Sequence, residues 1–148
     1  MKHFDSAKDN LNMVKSLVRY LENLRCELTH EASRAKIQTD APKDNQGEGA
    51  LFSPTDLVGA ALTSCIITTI GIVARQKGFS ITGAHGSLEK EMTAAPRRID
   101  SLKVELHFPK ALTEEQRNVV ERTARHCPVH RSLHPDIQIP IQFLYDLN

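Results

Sequence analysis

The sequence predicts an α+β fold, with antiparallel sheets packed against long helices. Two patterns carry that prediction. Apolar residues alternate with polar ones in several short runs, most clearly where Leu102, Val104, Leu106 and Phe108 interleave with Lys103, Glu105 and His107. A strongly apolar stretch from Leu57 to Val73 is bracketed by a helix start signal and a helix stop signal. Elements follow in the order strands, long helix, two strands, helix, strand, and the hairpins imply antiparallel pairing.

Residues 1–12 are polar and read as a flexible N-terminal extension; residues 13–148 form a single domain. Met13 to Tyr20 is strand-like, and Glu22-Asn23 turns the chain. Leu24, Cys26 and Leu28 alternate with Arg25, Glu27 and Thr29 as a second strand, which places Cys26 in the core. Arg34 to Thr39 makes a third. Asp40 to Gly49 is dense in turn formers and forms a loop. Ser53 suits the helix N-cap, Pro54 the first helical position and Asp56 the first turn, near the positive end of the helix dipole. Gly78, after Lys77, stops that helix. Ile81 to Met92 reads as a strand bent by Gly83 and Gly86, and Pro96 marks a turn. Thr113-Glu-Glu-Gln116 is a capping box, and the helix it opens sets Val119, Val120, Thr123, Ala124 and Cys127 near one stripe. Ile137, Ile139, Ile141 and Phe143 form the last strand, at an edge because Pro140 cannot donate to a ladder.

Charge excludes some functions. In 148 residues, 19 basic and 18 acidic side chains leave a net +1, so nothing draws the chain electrostatically to nucleic acid or to an anionic membrane. Three widely spaced cysteines do not make a disulfide framework; they fit a reducing, cytoplasmic setting. The Leu57–Val73 run is too short, and too rich in Thr, Ser and Gly, for a membrane span, so it reads as a helix buried in protein. One sheet covers only part of so apolar a helix, and a second subunit is the economical cover for the rest.

Cys65 and Cys127 carry the chemical interest. Cys65 lies about three turns into the long helix, beyond useful reach of its dipole, and its sequence neighbours offer only Ser and Thr hydroxyls. Taken alone it reads as a packing residue, and a reactive Cys65 needs a cation from elsewhere. Cys127 precedes Pro128, a helix starter, with His126, His130 and Arg131 close in sequence; a helix N-terminus and cations lower a thiol pKa. The competing reading is a capping thiol at a kinked helix end. His126, His130 and His134 share a helical spacing, but Pro128 and Pro135 interrupt it and no second ligand cluster follows, so no metal is expected. No phosphate loop, dinucleotide fingerprint or serine elbow is present, so no cofactor is expected either.

Ser53-Pro-Thr-Asp-Leu-Val-Gly-Ala-Ala-Leu-Thr-Ser-Cys65 and Cys127-Pro-Val-His130 together resemble the two cysteine motifs of the OsmC/Ohr superfamily, over roughly Val14 to Leu144. The resemblance implies an intertwined homodimer whose sheets wrap paired central helices, with the active site between subunits. It implies thiol-dependent reduction of organic (alkyl or lipid) hydroperoxides in oxidative-stress defence, with a small thiol or dithiol as reductant. Cys65 would be the peroxidatic residue and Cys127 the resolving one. The family's supporting arginine best matches Arg34, with Arg19 and Arg25 as weaker matches. The family's peroxidases hold that arginine with a Glu at the helix start. Here Thr55 takes that position, so Asp56 or Glu48 would substitute, and His130 is a further supporting candidate. The alternative is an OsmC-like binding protein that holds an apolar ligand at the dimer interface with little peroxidase activity.

Overall fold

The computed structural model describes residues 13–148, so the extension expected over 1–12 lies outside the described residues. These residues fall into two compact units, one ending at Pro54 and the other running from Thr55 to Asn148.

In the first unit, short alternating runs are separated by tight turns and can pair only with their neighbours. β1 (Ser16–Tyr20), β2 (Arg25–His30) and β3 (Lys36–Asp40) form an antiparallel meander. Asn23 and Leu24 adopt left-handed backbone at the first turn, as does Arg34 at the second. The expected loop follows, with a short 3-10 turn at Lys43–Asn45. Apolar residues of this meander stay exposed: Val18 is 65% and Ile37 52% accessible. Cys26, expected in the core, is half-buried.

The second unit is built on α1 (Pro54–Gln76). Its inward stripe, Gly59, Leu62, Thr63, Ile66, Ile70 and Ala74, repeats at helical spacing and is buried, while Ile72 on another face is 54% exposed. The helix ends as expected: Gly78 takes φ 76°, and the Phe79 N–H closes onto the Ala74 carbonyl at 3.0 Å. Long as it is and apolar enough to cross a membrane, α1 spends that stripe on a sheet.

The sheet is β4 (His85–Ala94), β5 (Arg97–Pro109) and β6 (Ile141–Leu147), in that order. Leu102, Val104, Leu106 and Phe108 of β5 are essentially inaccessible and meet Leu62, Ile66 and Ile70 in the core. Two glycines let helix and sheet meet this closely. A Cβ at Gly59 would lie 2.1 Å from Leu88 Cδ2, and one at Gly86 would lie 2.7 Å from Leu106 Cδ2 and 3.1 Å from Thr63 Cγ2. Gly86 therefore serves close packing rather than the bend expected of it.

Three further expectations need correction. β4 starts at His85, because residues 81–84 turn, with the Ala84 N–H on the Ile81 carbonyl. The last strand starts at Ile141, not Ile137. Before it, the carbonyls of Gln138 and Pro140 accept from Leu102 and Val104 while Pro140 donates nothing, so the segment only grazes the ladder. The third concerns strand direction. β6 runs parallel to β5, so this sheet is mixed rather than antiparallel. The connection between them carries α2 (Glu114–Ala124) and α3 (Pro128–Ser132), and a helical crossover returns the chain in its original direction. β6 is an edge strand, as Pro140 predicts. The capping box forms in full: Gln116 N–H donates to Thr113 Oγ1 and Thr113 N–H to Gln116 Oε1. α2 then buries Val119, Val120 and Ala124.

Candidate functional site

Cys65 lies on α1 just outside its most buried stripe and is partly accessible. α2 delivers the chain to Cys127, which is fully buried and caps α3, its Sγ accepting the His130 N–H at 3.2 Å. The Cys65 thiol lies near enough to Cys127 to raise its pKa, and both are free thiols. Residues far apart in sequence are thus brought together by α1 and α2 packing on one sheet.

The electrostatics of Cys127 differ from the sequence expectation. Burial pushes its thiol above the ordinary range; the His130 N–H pulls the other way and loses, and the neighbouring Cys65 adds to the rise. The cationic setting suggested by His126, His130 and Arg131 does not lower it. His130 contributes a backbone N–H rather than an imidazolium, because burial, aided by the nearby Arg125 charge, holds its ring pKa below the usual histidine value.

At the start of α1, Thr55 and Asp56 meet a residue the sequence reading missed. Lys90 donates to Thr55 Oγ1 at 2.7 Å and pairs with Asp56 Oδ1 at 2.6 Å. A signal was present: Lys90 falls between Leu88 and Met92 on the half-buried side of β4, where a cation needs an acidic partner.

In the first unit, Glu48 holds an arginine, but it is Arg25. Arg25 Nη2 donates to Glu48 Oε2 at 2.5 Å and lies 3.7 Å from Asp40 Oδ2. Asp40 is fully buried and accepts the Ala50 N–H at 2.8 Å. Asp40 Oδ1 and Arg25 Nε have no hydrogen-bond partner among the described residues. Arg34 sits on the exposed β2–β3 turn, its N–H on the His30 carbonyl. Sequence reasoning passed over Asp40 because it opens a turn-rich loop and reads as a turn residue. Among the described residues no group of three or more His, Cys, Asp or Glu is placed to hold a metal.

A long helix seated on a three-stranded sheet, carrying one accessible thiol beside a buried one, defines a class of α+β domains with paired cysteines. The chain belongs to the OsmC-like protein family, whose sequence profile matches residues 47–142. It is similar to a Psychrobacter arcticus protein provisionally described as an osmotic stress induced and detoxification response protein. Identity is 40% and the TM-score 0.84, over 89% of this chain and 96% of that one. It shares its fold with the Legionella pneumophila organic hydroperoxide resistance protein OsmC (19% identity, TM-score 0.70, over 90% and 98% of the chains). The same holds for an Elizabethkingia anophelis organic hydroperoxide resistance protein (11% identity, TM-score 0.72, over 94% and 100%). No curated protein matches the chain.

Proposed function

We propose that the protein is a thiol peroxidase for organic hydroperoxides, working through Cys65 and Cys127. The observation that carries this reading is two free thiols near enough to influence one another and unequally exposed. Cys65, the accessible one, attacks the distal peroxide oxygen as the thiolate. The O–O bond breaks, an alcohol leaves after taking up a proton, and Cys65 becomes a sulfenic acid. Cys127, kept protonated by burial, then displaces that hydroxyl as water and forms a disulfide. A small dithiol returns both thiols by exchange. The apolar walls expected of Leu62, Ile66 and Ile70 are spent on the core against β5, so the preference for alkyl or lipid hydroperoxides rests on the family resemblance.

The thiolate also needs a cation, which the family resemblance assigns to an arginine. Family resemblance favours Arg34; Arg25, fixed by two carboxylates, loses less freedom in such a role. The active species is proposed to be a homodimer. A second reading, an OsmC-like ligand-binding protein with little turnover, rests on Thr55 standing where the peroxidases carry Glu, with Lys90 bonded to it.

Turnover of cumene hydroperoxide with dithiothreitol tests the choice. Cys65→Ser is expected to lower kcat by at least about 10³-fold. Cys127→Ser should keep the first turnover and accumulate a sulfenic acid that dimedone traps. Wild-type protein without turnover, carrying a co-purified ligand, would establish the second reading instead.

A further inference from the structure

We infer that a groove at the C-terminal end of α1 is a binding site for an aliphatic carboxylate, separate from the thiol pair. The groove, about 630 Å³, lies within the second unit between the last turns of α1 and the turn leading to β4. That size falls within the range of small-ligand pockets. Its floor is apolar, formed by Ile67 and Gly71 of α1 with Phe79 and Ile81 of the following segment. A Cβ at Gly71 would only touch Ile81 Cδ1, at 3.8 Å, so a side chain larger than alanine here would project into the groove.

The polar groups at its edge suit one kind of head group. Arg75 lines the groove, is exposed, and makes no ion pair among the described residues, and no acidic residue lines it. Ser80 and Thr82 line it too, their hydroxyls 2.7 Å apart; one donates to the other, which leaves one hydroxyl hydrogen for a ligand. The partial negative charge of the α1 C-terminus opposes an anion, but the carbonyls of Val73, Ala74 and Arg75 already accept from Lys77, Phe79 and Gly78. A full guanidinium charge outweighs what remains. One guanidinium and one hydroxyl match a planar monoanion with two oxygens, and the apolar floor takes its chain.

The site is not an extension of the thiol pair. Gly71 lies six positions beyond Cys65, which on a helix is ~9 Å along the axis and ~240° around it. Occupancy therefore does not depend on peroxidase activity.

Calorimetric titration of decanoate and decanol into the full chain carrying Cys65→Ser tests this without peroxide. Decanoate is expected to bind, decanol several-fold more weakly. Arg75→Gln, a surface change safe for folding, should weaken decanoate about tenfold and leave decanol within twofold. Gly71→Leu should remove both. An Arg75→Gln change that weakens both ligands alike or weakens neither, no binding up to millimolar decanoate, or undiminished binding in Gly71→Leu would overturn the inference. So would amide shifts at 71 and 79–82 that follow protein concentration but ignore decanoate, since a second copy would then cover the groove.

Discussion

The two three-stranded sheets use the same alternation and end in opposite circumstances. In β5 the apolar set, Leu102, Val104, Leu106 and Phe108, is at most 2% exposed, and the polar set faces outward as Lys103, Glu105 and His107. In the first unit Val18, Tyr20 and Ile37 are all more than half exposed. A strand pattern predicts that one face wants cover; it does not say whether the cover lies in the same chain. The second sheet finds α1, and the first is proposed to find another copy of the protein.

The largest expected effect tests this contrast directly. Phe108→Ala should cost about 3–5 kcal/mol of folding stability, since its ring fills a fully buried site against Phe143 and Tyr145. Val18→Ser should barely change the stability of the monomer, yet raise the dimer dissociation constant about tenfold or more in sedimentation equilibrium. Unchanged association in Val18→Ser would leave the first sheet without a cover and break the comparison.

A smaller effect comes from Asp40, a carboxylate that the first unit buries completely. Asp40→Ala should destabilise by about 2 kcal/mol in chemical denaturation, because it strands the Ala50 N–H and removes a carboxylate beside Arg25.

The smallest effect sharpens the view of the second sheet's outer face. His107 Nδ1 lies 2.8 Å from Asp146 Oδ2 and its Nε2 lies 3.1 Å from Glu105 Oε1, with His85 stacked on the ring at 4.8 Å. Bonding to Asp146, and then to Glu105, raises the His107 pKa above its ordinary value. The protonated ring thus favours the folded state. That contribution is complete below about pH 6.5 and fades as pH rises through the elevated pKa. Melting temperatures of wild type and His107→Gln should differ at pH 6 and converge by pH 9; a constant gap would mean that the ring acts only by packing.

Much of this was legible in the sequence, and the limits have physical reasons. The alternation in β5, the Thr113 capping box and the stop at Gly78 are local signals, and the chain obeys them. The direction of β6 is not local: Ile141 and Phe143 alternate identically in a parallel or an antiparallel ladder, and only the α2–α3 crossover decides. The setting of Cys127 misled for the same reason. The cations around it are written in sequence, whereas its burial is made by elements that sequence does not place beside it. Thr55 shows a third case: its partner Lys90 was visible only as a charge on the wrong side of a strand.

The hydrogens at Gly59 and Gly86 set a limit on how this chain can drift. Both positions face side chains that a single added carbon would collide with, Leu88 at one and Leu106 at the other. Neither neighbour can shrink without opening a void on the opposite side. Random substitution of the whole gene, followed by selection for soluble protein, should leave these two codons nearly blank, while the outward-facing ones at 103 and 142 fill with almost any residue.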